Sequence, residues 1–241
     1  MVGAVHEGPL LRPGIGMLFG SYGADYRRAV LWQRLLKKDR NKAYEAAVGG
    51  AFGEAGRIQV EALRAEGFQD QGMIVDIGCG AGRLASKLSG LPGVSYLGLD
   101  VVPELLDNAR RLAKRLDWRF EVVDRTHIPA PDASADFCVF FSVFTHLPEP
   151  VCLDYLKEAR RVLKPGGKAV FSFLDPGLER HAHPLRRSLL RLIATRTVYA
   201  RNVAAPPERL REWAKQLSFD VSAIHSPHPL GQSVAAFTKP A

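Results

Sequence analysis

Cysteine is scarce in this chain of 241 residues: Cys79, Cys138 and Cys152 are the whole complement, an odd number at uneven spacing. The set fits neither a disulfide framework nor a zinc-ligand pattern, and it suits a reducing cytoplasm. No apolar run approaches the ~18 residues that a membrane-spanning helix needs. No basic region leads into an apolar stretch with a cleavage site at the start, so a cytoplasmic location is expected. Repeats and low-complexity segments are also missing, which excludes solenoids and arrays. His181, His183, His225 and His228 have no carboxylate or cysteine spacing beside them, so no metal is expected.

What is present is an ordinary globular composition with a basic balance. Hydrophobic residues make up 46% and charged residues 24%, with 33 Lys and Arg against 25 Asp and Glu, a net charge of +8. A chain of this length buries roughly 70–75% of its unfolded surface, enough for a core without staples. The surplus is uneven: +5 over residues 25–42, −2 over 43–174 and +4 over 175–205. A basic surface implies an acidic partner and says nothing about fold.

Residues 1–24 are rich in Gly and Pro and read as an arm. Helical spacing runs from Asp25 to about Val48, through Tyr26, Val30, Leu31, Leu35 and Leu36. A second helix is expected over about 54–66, with Ile58, Ala62 and Leu63 inward. An alternation then begins. Met73–Ile77 is a short buried strand, Gly78–Gly82 a glycine-rich turn, and a helix follows to about Leu88. Val94–Leu99 is the next strand, ending at Asp100. Pro103 opens a helix whose stripe is Leu105, Leu106, Ala109, Leu112 and Leu116. Strands are expected over Trp118–Val123, Asp136–Phe141 and Lys168–Phe173, with a helix over 151–163. Five strands alternating with helices mean a doubly wound α/β fold around a parallel sheet. The segment 175–205 breaks the rhythm as a basic, partly helical insertion. Pro206-Pro207 opens another helix to about Leu217, and Phe219–Ile224 and Ser233–Thr238 read as an antiparallel pair.

The chemistry concentrates in Val75-Asp-Ile-Gly-Cys-Gly-Ala-Gly-Arg83, between a strand and a helix. Glycines let a backbone approach a ligand closely. The spacing is G-x-G-x-G, and the third glycine of a dinucleotide fingerprint would fall at Arg83, which argues against a nicotinamide or flavin. Asp100 ends the second strand, where a carboxylate accepts from both hydroxyls of a ribose. Asp124 follows the third, where it could accept from an adenine amino group. Carboxyl ends of parallel strands are where open α/β sheets bind ligands.

With these residues the sequence resembles the class I S-adenosylmethionine-dependent methyltransferases. The stretches that carry the resemblance are Val75–Arg83, Gly98-Leu-Asp-Val101, Val123-Asp124, Asp132–Phe137, Ser142-Val-Phe-Thr-His-Leu147 and Arg161–Gly167, covering about residues 72–174. It implies a Rossmann-like seven-stranded, mainly parallel sheet with an antiparallel last strand. It also implies an arm and helical lid over 1–71 and a methyltransferase domain over 72–241. The cofactor would be S-adenosylmethionine, with Gly78, Cys79, Gly80 and Gly82 facing its methionine part and Asp76 beneath them. Asp100 would hold the ribose, Val101 would pack on the adenine, and Asp124 would take its amino group, with Arg125 also cofactor-binding. Ser142 would pass the methionyl end. Arg57 or Arg83 could pair with the cofactor carboxylate, and Tyr22 and Tyr26 could close over it.

Transfer from a sulfonium is an in-line displacement in which positioning supplies most of the acceleration. His146 is the candidate base for a hydroxyl acceptor, since it follows the fourth strand and a histidine side chain can exchange a proton near neutral pH. The basic flanks make an anionic or amphiphilic small-molecule acceptor, or peripheral membrane contact, the expected partner. An RNA- or protein-modifying enzyme and a noncatalytic cofactor-binding scaffold share the same fold. Nucleic acid is less favoured, because no RNA-binding domain or stacking motif is visible.

Overall fold

The structure, a computed structural model, describes Arg27 and residues 52–182 and 204–241. The helix expected over 25–48, Tyr22, Tyr26, His183 and most of the basic insertion lie outside the described residues.

Helix α1 (Phe52–Ala65) precedes β1 (Gly72–Ile77), α2 (Arg83–Leu88), β2 (Val94–Asp100), α3 (Pro103–Ala113) and β3 (Arg119–Val122). Then come β4 (Ala135–Phe140), α4 (Glu149–Val162), β5 (Leu163–Phe173), α5 (Pro207–Gln216), β6 (Asp220–His225) and β7 (Ser233–Thr238). The seven strands form one sheet in the order β3-β2-β1-β4-β5-β7-β6. The first five run parallel, and β7 pairs antiparallel with both β5 and β6. The order reverses direction between β1 and β4, so the loops leaving those strands diverge and open a crevice at their carboxyl ends. The turn after β1 occupies that crevice.

Strand β4 is apolar almost throughout because helices cover both sheet faces. On one face Phe140, Phe144, Tyr155, Phe171, Trp213 and Phe237 pack beneath α4 and α5. On the other, Ile74, Leu84, Leu88, Tyr96, Leu106 and Phe120 pack with α1, α2 and α3. Asp136 ties three strands together: its carboxylate accepts from the Met73 backbone N–H at 2.7 Å and from Lys164 Nζ at 2.8 Å.

Two expectations need correction. Leu116 is not part of the buried stripe of α3 but fully exposed. Lys114 adopts a left-handed conformation (φ 51) that ends the helix after Ala113, so the helical period does not reach Leu116. Strand β5 also starts earlier than Lys168. The chain enters it at Leu163, and Gly167 packs its α-carbon against the carbonyls of Lys164, Ala135 and Asp136, where a side chain has no room. Among the described residues, no helix is long and apolar enough to cross a membrane.

Candidate functional site

The glycine turn is built by backbone conformations and close approaches that only glycine meets. Gly78, Gly80 and Gly82 all have positive φ (71, 55 and 88). A Cβ on Gly78 would lie 2.5 Å from a Val143 methyl, and one on Gly82 would lie 2.6 Å from the Ala109 α-carbon. The turn is held by bonds from both Gly78 N and Cys79 N to the Leu99 carbonyl, at 2.7 and 2.9 Å. Asn108 on α3 closes the far side, donating from Nδ2 to the Ala81 carbonyl at 2.9 Å. Cys79 is buried, which pushes its thiol well above its ordinary pKa, and its Sγ contacts the Gly80 carbonyl. It fills space and does not act as a nucleophile.

Two buried carboxyls lie under and beside this turn. Asp76, at the end of β1, accepts a hydrogen bond from the Tyr96 hydroxyl on β2. Burial raises its pKa to about 7; the Tyr96 bond opposes that rise and the Asp100 charge adds to it. Asp100, at the end of β2, accepts from Gly80 N through Oδ2 and from Val102 N through Oδ1, both at 2.9 Å. Burial lifts its pKa to about 6 against the pull of those amides. Each carboxylate oxygen keeps acceptor capacity beyond its one amide. Val101, half-buried between Asp100 and Val102, packs against both neighbouring apolar clusters.

The other sequence candidates are placed less centrally. Asp124 lies beyond the end of β3 on the surface, its side chain 83% exposed and paired with Arg125 at 3.1 Å. Its link to the buried pair is through the backbone, Val123 N donating to the Asp100 carbonyl at 3.0 Å. Arg57 is exposed on α1. Arg83 is half-buried at the start of α2, its guanidinium 5.8 Å from the Phe52 ring centre. The neighbouring Gly56 packs against the Arg83 carbonyl and brings α1 onto the turn. Arg27 reaches α3, donating to Glu104 Oε1 at 3.1 and 2.8 Å, which ties one N-terminal residue to the helix after β2.

Beyond β4, Ser142 takes a left-handed conformation (φ 62). Its N–H donates to Ser172 Oγ at 2.6 Å and its hydroxyl to Gln232 Oε1 at 3.2 Å. The same turn carries His146, half-buried, with its backbone N–H on the Val143 carbonyl at 2.9 Å. Sequence reasoning missed Tyr96, Asn108, Ser172 and Gln232. Each lies in another element from the residue it supports, and strand register or helix packing brings them together. Of the histidines outside this region, His181 is buried with Nδ1 accepting from Asp175 N at 2.9 Å and Nε2 facing the Gly231 carbonyl at 3.3 Å. It braces the start of the insertion against the β6–β7 turn. Among the described residues no cluster of His, Cys, Asp or Glu could hold a metal.

A glycine cradle closed to side chains, beside a buried carboxylate with acceptor capacity left, fits a nucleoside carrying an amino-acid chain. Comparison with known proteins agrees. A family model described as a methyltransferase domain matches residues 74–167. A demethylmenaquinone methyltransferase of Deinococcus radiodurans is 38% identical over 109 residues, 43% of this chain and 43% of that protein. A ubiquinone biosynthesis O-methyltransferase of Aliivibrio fischeri is 27% identical over 143 residues, 57% of this chain and 60% of its own length. The chain therefore spans roughly half the length of these curated relatives. In fold it is similar to a chain of the complex between the Haloferax volcanii Trm112 methyltransferase activator and its methyltransferase. That likeness has a TM-score of 0.65 and 19% identity, covering 89% of this chain and 99% of that one. Sheet order, glycine turn and the match over residues 74–167 are what this chain shares with the S-adenosylmethionine-dependent methyltransferases.

Proposed function

We propose that the chain transfers a methyl group from S-adenosylmethionine to an oxygen of a small-molecule acceptor. The observation that carries the cofactor half of this reading is Asp100, a buried carboxylate held by Gly80 N and Val102 N at the sheet's switch point. The cofactor supplies, when bound, a methyl group on a positively charged sulfur that leaves as a neutral thioether. Asp100 would accept from the ribose hydroxyls, and Gly78–Gly82 would pass the methionyl part without a side chain in the way. Val101 would lie against the base, with Asp124 and Arg125 at its solvent edge. Arg57 and Arg83 lie on the α1 and α2 side, where the cofactor carboxylate would be met. Ser142 and His146 share the turn after β4, and His146 would take the proton of the acceptor hydroxyl as the new carbon–oxygen bond forms.

An oxygen acceptor is supported by relatives named as O-methyltransferases, among them that of ubiquinone biosynthesis. We also take residues 1–71 as arm and lid and 72–241 as the methyltransferase domain, and the protein as cytoplasmic. Calorimetry with S-adenosylmethionine tests the cofactor half, and Asp100→Ala should weaken binding by at least tenfold. Stronger binding of NAD, or unchanged affinity in the variant, would refute it. Labelled methyl transfer into a cell extract tests the acceptor half: label recovered only in RNA or protein would reject a small-molecule substrate.

A further inference from the structure

A cavity of about 300 Å³ opens beside the turn that carries Ser142 and His146. Phe144 and Leu147 of that turn, Phe173 at the end of β5 and Trp213 of α5 form its walls. Ala204 and Ala205, where the chain returns from the insertion, close one side. Phe173 follows Ser172, whose Oγ holds the Ser142 backbone, so the cavity and the candidate transfer point share a wall.

Charge at its rim is already matched. Arg209 donates through Nε to both Glu149 oxygens at 3.1 Å, and its Nη1 pairs with Glu212. Arg209 in turn holds the Glu149 carboxyl below its usual range. One cation thus faces two carboxylates, and no other lysine or arginine lines the cavity among the described residues. Among the described lining residues Arg209 and Glu149 balance, so the cavity offers an anion no unmatched positive charge. Inside, the Trp213 indole is only 4% exposed. It lies near enough to Glu149 to help hold that carboxyl below its usual range, but no acceptor meets its N–H at hydrogen-bond geometry. An indole N–H is a donor with no acceptor capacity, so what it lacks is an oxygen. A dry cavity of ~150 Å³ is enough to hold benzene, so this one suits about two fused rings.

Resting on the methyl-transfer reading, we propose that this cavity receives the acceptor, and that the acceptor is a neutral, flat, two-ring-sized apolar molecule whose oxygen accepts from Trp213. The anionic acceptor suggested by the basic flanks does not fit this rim.

The test uses the full chain and calorimetric titration with 2-naphthol and with 2-naphthyl phosphate. 2-Naphthol should bind, with the phosphate at least tenfold weaker. Ala205→Leu, which fills the space, should weaken 2-naphthol at least tenfold while leaving the S-adenosylmethionine titration unchanged. Trp213→Phe keeps the ring, removes the donor and should cost about five- to tenfold. In extract, transferred label should partition into the organic phase and fall with Ala205→Leu. Equal or tighter binding of the phosphate, full affinity in Ala205→Leu, or label confined to the aqueous phase would overturn the proposal. Naphthol binding that Ala205→Leu abolishes, in a chain that does not bind S-adenosylmethionine, would overturn the acceptor role and the methyl-transfer reading while leaving the ligand chemistry of the cavity established.

Discussion

Asp100→Asn should abolish two pH trends that in the native protein run in opposite directions. The carboxyl moves from 3.8 to about 6 on folding because burial outweighs its two amide bonds. A raised pKa means that the folded state binds more protons than the unfolded state between about pH 4 and 6. The stability this contributes is fully present below pH 4 and lost as pH rises through 6. At ~1.36 kcal/mol per pH unit the whole effect is about 3 kcal/mol, of which roughly half falls between pH 5 and pH 8. Asp76, raised to about 7, adds to it in the same direction. The cofactor demands the contrary, since ribose hydroxyls donate to the ionised carboxylate. Affinity for S-adenosylmethionine should fall by about tenfold per pH unit below 6.

The variant keeps the shape and loses the proton. Urea unfolding at pH 5, 6, 7 and 8 would measure the difference in slope between native chain and variant. At an m-value of ~2–3 kcal/mol/M the expected loss of pH dependence is about half a molar in midpoint. Calorimetry over the same range should show weak cofactor binding in the variant that no longer changes at pH 6. A variant with the native pH slope, or a native chain whose Asp100-dependent stability grows toward pH 8, would refute the reasoning.

Other substitutions test separate supports of the site. Gly82→Ala forces φ 88 on a residue with a Cβ, 2.6 Å from the Ala109 α-carbon, where only backbone can give. A loss of about 2–5 kcal/mol is expected, read as a thermal midpoint some 5–15 °C lower. Tyr96→Phe leaves the buried Asp76 carboxyl without its hydroxyl donor. The cost should be about 1–3 kcal/mol and larger at pH 8 than at pH 5, because the ionised form loses more; equal cost at both would deny Tyr96 that role. His146→Asn should lower turnover by about 10²-fold or more and flatten the pH–rate profile while the S-adenosylmethionine affinity holds. Full turnover would remove His146 as the base.

The sheet was legible because burial on both faces turns strands into apolar runs, and because Pro and Gly punctuate them. All seven strands were anticipated, and the glycine turn stood out since its spacing has no other use between a strand and a helix. Long-range partners were not legible. Nothing near Asp76 points to Tyr96; parallel register, which sets Ile74 beside Tyr96, brings that side chain to the end of β1. Ser142 reads by position as a ligand contact, and its backbone is held by Ser172 of β5 and its hydroxyl by Gln232 of the β6–β7 turn, which only the fold brings near. Leu116 misled because helical periodicity continues in the sequence past the residue that stops the helix. His181, where no metal is expected, has both ring nitrogens facing backbone groups that the sequence does not reveal.

The basic surplus takes a different meaning once these contacts are on the page. The segments 25–42 and 175–205 carry it, and each has one described arginine. Arg27 is bound to Glu104 on α3, and Arg180 donates to the His228 carbonyl at 2.8 Å. Both contacts join a basic segment to the core beside the site: one to the helix that follows Asp100, the other to the turn that follows β6. Glu104 belongs to the slightly acidic stretch of residues 43–174, whereas His228 lies outside it. Positive flanks on a negative core attract each other at short range whether or not an acidic partner exists. That account needs no anionic acceptor, and the arginine at the cavity is already paired with two glutamates. On the proposed reading, selection of the acceptor rests on apolar shape and a single indole donor.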